Sequence, residues 1–272
     1  LLHSLIRSDT QKSLYDHINL AGFDSKKVSS NKINFDISNI KYFIEPHIEQ
    51  GPVLEKKKIP LGIVTGIRGS FRYRDAYCVG EYLHSGATPF EYRKDAVVAV
   101  SKLVNEMNIL WQKELKKNKD LVITFGQFST DHEQHSFAKS SGLVQFCIDV
   151  RSNSKKTLQL INKRFFEKIK IIEKKTKTKF FLGNQTNSEP ALMDKKLIKI
   201  FQKFSNENSV KFETMASGAG HDASVFANNG IPSIMLFIRN KNGSHNPKEH
   251  MSIVQFMKVF KVLSGIIEKN LL

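Results

Sequence analysis

Cysteine is scarce: Cys78 and Cys147 are the only two in 272 residues. Two thiols cannot build the disulfide framework of a small secreted domain, so a packed core must hold the chain together. A reducing, cytoplasmic compartment is the reading that fits. Apolar runs of the roughly 18 residues that a membrane span needs are missing. The opening Leu1-Leu2-His3-Ser4 has no basic stretch and no long apolar one, so it does not read as a secretory signal. It also lacks an initiator Met, and the expectation is that the natural start lies upstream. Acidic residues are outnumbered, 26 against 42 Lys and Arg, for a formal charge of +16. Within that excess arginine is rare, with eight residues. The lysines fall in short scattered clusters such as Lys56-Lys57-Lys58 and Lys174-Lys175, without interleaved aromatics. That pattern describes a solvated lysine surface and argues against nucleic acid as a partner.

What the chain does have is apolar mass: 40% hydrophobic residues and 20 Phe, ample for one large domain or two ordinary ones. Ser8-Asp9-Thr10-Gln11 has the form of a capping box and predicts a helix running to about Leu20, ended by Gly22. Strands are expected over 41–48 and 61–67. From Arg68 onward the pattern becomes strand 71–79, helix from Pro89 to about 115, strands 121–128 and 143–150, helix 157–172 and strand 178–182. On the first of those helices Val97, Val100, Val104, Met107 and Trp111 share a face. The order β-α-β-β-α-β is the ferredoxin-like split unit, which can be inserted whole into another domain. After Asn184 helix and strand alternate again, as in an α/β layer with a mostly parallel sheet. The expected division is residues 1–66 and 185–272 in one α/β domain, interrupted by an α+β insertion over 67–184.

Four clusters carry candidate chemistry. Glu45-Pro46-His47-Ile48-Glu49-Gln50-Gly51-Pro52 puts His, Glu and Gln at a strand end, where open α/β sheets bind ligands. His84-Ser85-Gly86-Ala87-Thr88-Pro89 forms a loop ahead of the long helix. Ser217-Gly218-Ala219-Gly220-His221-Asp222-Ala223 is a small-residue turn whose backbone N–H groups suit an anion. Gly243-Ser244-His245-Asn246-Pro247 again follows a strand. Any one of these histidines alone reads most simply as a surface residue. Four beside glycines at strand ends point together toward metal chemistry, since neutral imidazole is the commonest protein metal ligand. His132 and His135 lie in a polar loop without the i, i+4 spacing of a zinc helix, and are set aside.

Read jointly and in order, these segments resemble the amidase/hydantoinase/carbamoylase branch of the M20 metallopeptidase superfamily. His47 to Glu55 carries the most specific likeness, and Gly62 to Ile67, His84 to Pro89, Ser217 to Ala223 and Ser244 to Pro247 follow. The resemblance implies a zinc-peptidase-like catalytic domain with an inserted ferredoxin-like lid and dimerisation domain. It implies two divalent metal ions, Zn or Mn, with His47 and His245 as ligands to different ions. Such a pair of ions activates a bridging water and polarises the scissile carbonyl. Gln50 would contact a ureido group, Arg151 would pair with a substrate carboxylate, and Gly220 and His221 would line the pocket. His84 would stabilise the oxyanion, often from the neighbouring subunit of a homodimer formed through the lid. The implied substrate is a small carboxylated linear amide or amidine, such as an N-carbamoyl amino acid or allantoate.

The sequence departs from that family in two ways. The family's first His, bridging Asp and Glu-Glu pair would precede residue 1, so the site is expected to be incomplete here, with little metal affinity or turnover from this chain alone. The family's substrate-binding Asn falls on Ala138, which removes an amide donor. A dipeptidase or aminoacylase on the same scaffold, and an inactive dimerising remnant, are the alternative readings.

Overall fold

The computed structural model describes residues 2–30 and 36–272, in a unit Leu1–Lys41 and a unit Tyr42–Leu272. In the first unit α1 spans Leu14–Leu20 and α2 Ser25–Ser29. The expected helix start at Ser8 is wrong by more than a turn. A second capping box wins: the Ser13 hydroxyl accepts the Asp16 N–H and the Asp16 carboxylate accepts the Ser13 N–H. Gln11 meanwhile sits at φ 55°, left-handed backbone that breaks any helix running through it.

The second unit runs β1 (Phe43–Ile48), α3 (Val53–Lys57), β2 (Leu61–Ile67), β3 (Gly69–Val79), α4 (Ala96–Leu115), β4 (Val122–Thr130), β5 (Leu143–Ser152), α5 (Lys155–Thr176), β6 (Lys179–Phe181), β7 (Gln185–Ser188), β8 (Ala191–Leu192), α6 (Lys195–Glu207), β9 (Phe212–Ser217), α7 (Asp222–Asn228), β10 (Ser233–Ile238) and α8 (Ile253–Glu268). Its strands make two five-stranded sheets. One is mixed. In it β1 lies parallel to β10, β10 antiparallel to β2, and β9 parallel to β2. The other is antiparallel, in the order β4-β5-β3-β6 with β7 also on β3.

Strand alternation decides which residues face which helix. All six residues of β10 are buried, as in a strand covered on both faces. Ile234, Leu236 and Ile238 pack with Leu197, Phe201 and Phe204 of α6 and Val259, Val262 and Ile266 of α8. Met235 and Phe237 point the other way, into a cluster with Leu54 of α3 and Ala223 of α7. Strand β1 pairs only with β10 among the described residues, so its Pro46 removes no hydrogen bond from the sheet's interior. In the antiparallel layer α4 and α5 bury Val100, Leu103, Met107, Ile161 and Phe165 against Phe146, Ile148 and Val150 of β5.

The long helix starts at Ala96 rather than at Pro89, because the Asp95 carboxylate accepts the Val97 and Val98 N–H groups. Pro89 instead leads a short 3-10 turn, Phe90–Tyr92. Strands β7 and β8, unexpected from sequence, link the sheets on the return path and are exposed or very short. Cys78 and Cys147 are both free, and burial pushes the Cys78 thiol up to about 11. No helix among the described residues is long and apolar enough to cross a membrane.

The outgoing and returning links between the sheets cross tightly at Gly69. A Cβ there would collide with the backbone of Ser188 and Pro190. Gly69→Ala is expected to destabilise the chain by about 1–3 kcal/mol, the usual cost of overpacking, read as a lower urea midpoint at unchanged slope.

Candidate active site

The parallel pairing of β1 with β10 brings the carboxyl ends of both strands to one side, and the loops that follow meet there. Gln50 holds them together. Its N–H donates to the Asn240 side-chain oxygen at 3.1 Å, and its amide nitrogen donates to the Ser244 hydroxyl at 3.3 Å. Asn240 is buried and in turn donates to the Gly243 carbonyl. The result is a cleft of about 490 Å³ lined by His47, Ile48, Gln50, Ser244, His245, Asn246 and Glu249. Gln50 also borders a second cleft of about 440 Å³, with Arg68, Met215, Gly218, Ala219 and Phe237 on its walls. His47, Gln50 and His245, predicted from far-separated motifs, therefore share one cavity.

Glu49, between the two functional neighbours of its motif, has a different task. It is buried, and its carboxylate accepts the N–H groups of Val53 and Leu54 at 2.8 and 2.7 Å. Those are donors at the N-terminus of α3 that no helical carbonyl satisfies. The carboxylate thereby fixes the Gly51-Pro52 turn and with it the position of Gln50.

On the α7 face of the sheet a second convergence appears. Glu45 and His47 are two apart on β1 and project to the same side. The turn after β9 returns over that side and delivers His221, whose ring lies 4.6 Å from that of His47 between centroids. His221 Nδ1 is 3.7 Å from a Glu45 oxygen, and the other Glu45 oxygen accepts the Ala223 N–H at 2.7 Å. Burial, reinforced by the nearby charge of His47, pushes the His221 imidazole down to about 4. Among the described residues Glu45, His47 and His221 form a group with ligating atoms within 4.8 Å of one another. Two imidazoles and a carboxylate are a donor set that suits zinc and its neighbours, so the residues fit a divalent metal. Glu45 opens the first candidate cluster of the sequence but was given no role of its own there. The signal was there in its spacing of two from His47 on a strand.

Arg151 stands at the end of β5, in the antiparallel layer. It is ion-paired with Asp149 at 2.7 Å, and its Nη1 donates to the Gly218 carbonyl at 2.6 Å. Asp149 also accepts from Arg72 at 3.0 Å. Arg151 thus reaches the turn that carries Gly220 and His221. His84 stands apart from this assembly. It is exposed, its Nδ1 accepts the Gly86 and Ala87 N–H groups, and it bridges to Lys139. Ala138 is its neighbour, since the Ser85 N–H donates to the Ala138 carbonyl at 2.8 Å. His132 and His135 are exposed on the same layer with rings 5.1 Å apart, and neither lines the cleft of His47.

Comparison with known proteins supplies the context for this geometry. The chain is 30% identical over 265 residues to the N-carbamoyl-L-amino-acid amidohydrolase of Pseudomonas sp. (strain NS671), covering 97% of this chain and 62% of that protein. It is 32% identical over 227 residues to the allantoate amidohydrolase of Escherichia coli (strain K12), covering 83% of this chain and 54% of the relative. It therefore spans between about half and three-fifths of the length of these relatives. An amidase of the hydantoinase/carbamoylase family from Burkholderia multivorans superposes with a TM-score of 0.80 over 94% of this chain and 59% of that one, at 23% identity, so the fold is shared. The model of peptidase family M20/M25/M40 matches residues 21–269, and with nearly the whole chain accounted for, the chain belongs to that family, as a homologue of its hydantoinase, carbamoylase and allantoate amidohydrolase members.

Proposed function

We propose that this chain is the larger part of a metal-dependent amidohydrolase that cleaves non-peptide C–N bonds in small carboxylated carbamoyl or amidine compounds, of the N-carbamoyl amino acid or allantoate type. The observation that carries the proposal is the shared cleft of His47, Gln50 and His245 at the ends of β1 and β10. In this reading residues 1–66 and 185–272 form the catalytic domain and 67–184 the ferredoxin-like lid, except that β7 (Gln185–Ser188) pairs with β3 and so goes with the lid sheet, and His47 and His245 each ligate one of two divalent ions. Bound metal would supply an activated water and a polarised carbonyl.

The remaining chemistry belongs to side chains of this chain. Asp149 takes the Nε and Nη2 edge of the Arg151 guanidinium. Arg151 Nη1 already donates to the Gly218 carbonyl, so a substrate carboxylate would take the Nη1 and Nη2 edge alongside that bond or in its place, held in orientation by N–H donors. The Gln50 amide, tethered through its own backbone to Asn240, can offer both a donor and an acceptor to a ureido group. Gly220 and His221 line the wall beside them. His84 carries its proton on Nε2, because Nδ1 accepts two backbone N–H groups, and that N–H is the donor an oxyanion requires. Its separation from the clefts in one chain suits delivery from a second subunit.

The whole protein, loaded with zinc or manganese, is expected to release ammonia from allantoate or an N-carbamoyl amino acid faster than it cleaves dipeptides or N-acetyl amino acids. Silence across that panel overturns the proposal, and preference for the dipeptides or N-acyl compounds transfers it to a peptidase or aminoacylase. Arg151→Lys keeps the charge and loses the fork, and should raise KM about 10- to 100-fold with a smaller change in kcat, matching a charged hydrogen bond of about 1.5–3 kcal/mol. Strand β4 has one edge unpaired among the described residues and an exposed Phe128, and supplies the surface for a homodimer through the lid. Sedimentation should give a dimer, and Phe128→Asp should shift it to monomer at the same concentration. A monomeric wild type removes the dimer from the reading.

A further inference from the structure

A separate cleft of about 260 Å³ lies at the foot of the loop that carries His245, and it shares no lining residue with the clefts above. Its walls are Glu55 of α3, Arg239 and Lys241 from the segment after β10, His250, and Ser252 and Gln255 at the start of α8. The Lys241 N–H donates to the His250 carbonyl at 2.7 Å, and the His250 N–H to the Lys241 carbonyl at 3.2 Å. That bridge closes the base of the loop 242–249. Around the cleft, polar groups of both kinds stand without partners. The Arg239 side chain is only 20% exposed, yet among the described residues its guanidinium donates no hydrogen bond. Its Nε comes no closer than 3.4 Å to Glu55 Oε2, an ion pair without a hydrogen bond. Glu55 Oε2 and Gln255 Oε1 are both shut off from solvent and accept nothing. Lys241 is exposed, and its ammonium is unpaired among the described residues. A buried acceptor without a donor forfeits its hydration for nothing in return. Two such acceptors and two cationic donors that do not bond one another, around one cavity, describe a ligand with matching groups of its own. Water could satisfy the oxygens, but it brings no charge, and Glu55 balances only one of the two cations.

We propose that this cleft binds a free α-amino acid, whose ammonium group donates to Glu55 and Gln255 and whose carboxylate is held by Arg239 and Lys241. The two bare oxygens call for a donor, and the charge of Glu55 favours a cationic one, because hydrogen bonds between charged groups are the stronger kind. The cation left unbalanced calls for an anion beside it. An α-amino acid carries both groups on one carbon. A plain carboxylate leaves the oxygens bare, and a plain amine adds a third positive charge. At about 260 Å³ the cleft is smaller than the roughly 300–1,000 Å³ of drug-sized sites and suits a metabolite of this size. Lys241, the exposed and unpaired member of the wall, can swing aside to admit the ligand and then close on its carboxylate. A ligand so held joins α3 and the first turn of α8 to Lys241, one end of the His245 loop, and so steadies residues 242–249. The site rests on unpaired groups and not on the substrate reading above. One extension does rest on that reading: hydrolysis of an N-carbamoyl amino acid releases a free amino acid, so the cleft would sense product.

Calorimetric titration of the whole protein with L-alanine, and with its two halves propionate and ethylamine, tests it. L-Alanine should bind about 10-fold or more tightly than either half, as the loss of a charged hydrogen bond dictates. Glu55→Gln, Gln255→Met and Lys241→Met should each weaken binding by about 10-fold or more. Lys248→Met, on the same loop but outside the cleft, should leave it unchanged. Gln255→Met removes an acceptor that has no donor, so its urea midpoint should hold or rise. A lower midpoint with L-alanine binding intact marks a purely structural residue and overturns the proposal. So does the absence of binding, binding no tighter than that of propionate, or binding that survives in Glu55→Gln and Gln255→Met. In the unaltered protein, saturating L-alanine should slow hydrogen exchange at the amides of residues 242–249. Exchange that stays the same overturns the coupling to the loop. A protein that binds L-alanine as described but hydrolyses none of the substrate panel retains this site and loses only the proposed function, and hydrolysis without L-alanine binding does the reverse.

Discussion

Six consecutive parallel pairs, from Phe43 with Ser233 to Ile48 with Ile238, join strands that are almost two hundred residues apart in sequence. Parallel strands end on the same side, so this one pairing puts the Gln50 turn beside the Ser244-His245 loop. An antiparallel partner would have sent those loops to opposite ends of the sheet. The pairing also sets which face Glu45 and His47 occupy. A slip of one residue would turn both side chains toward α6 and α8 and bring Ile44 and Pro46 to the α7 face. Burial enforces the register. Met235 and Phe237 fill the cluster under α7 while Leu236 and Ile238 fill the one under α8, and neither set fits the other's place.

The antiparallel layer is tied to this sheet through the turn at the end of β9. The Arg68 N–H donates to the Ser217 carbonyl at 3.1 Å, and Arg151 donates to the Gly218 carbonyl next to it. The Arg68 side chain meanwhile forms a two-point pair with Asp120, which also accepts the Asn153 N–H at 2.8 Å. The segment before β4 and the one after β5 are thus fixed on one carboxylate close to the crossing at Gly69. The Ser217 side chain orients His221 while its own carbonyl and that of Gly218 receive the other layer. Arg151 and the Glu45 group therefore share one turn as their common support.

Much of this was legible in the chain, for reasons that can be named. The strand 61–67 and the end of the strand at Ile48 were readable because apolar runs stopped at Gly and Pro. The split unit was readable because its two long helices carry apolar stripes that the tertiary contacts merely use. Helix starts were less so. Ser8 and Pro89 are both good local signals, and each lost to a better acceptor a few residues on, Ser13 with Asp16 in one case and Asp95 in the other. Strand β7 has no apolar pattern at all, since Gln185 to Ser188 is wholly exposed and held by backbone pairing to β3. In the site, His47 and His245 stood out because histidines near glycines at strand ends are unusual, whereas Gln50 was picked out by the resemblance of its motif to the M20 amidases. Glu45 did not stand out, because a carboxylate near the start of a strand looks like any surface acid until α7 is laid over it.

The segment from Glu45 to Pro52 shows why a short motif can be so specific. Its residues alternate in duty because a strand alternates in direction. Glu45 and His47 face α7, and Ile44 faces the core beneath the other helices. At Glu49 the strand ends, and the carboxylate turns back to satisfy the two free N–H groups of α3. Gln50 then takes up a left-handed backbone, φ 63°, which turns the chain and aims its amide across at Ser244. A non-glycine residue held there is costly unless its surroundings over-determine it, and the bonds to Asn240 and Ser244 do so. Each position is constrained by a different partner: a helix face, a helix N-terminus, a facing loop. A sequence that drifts at any one of them loses a separate contact, which is the physical reason such a string of letters reads as a unit.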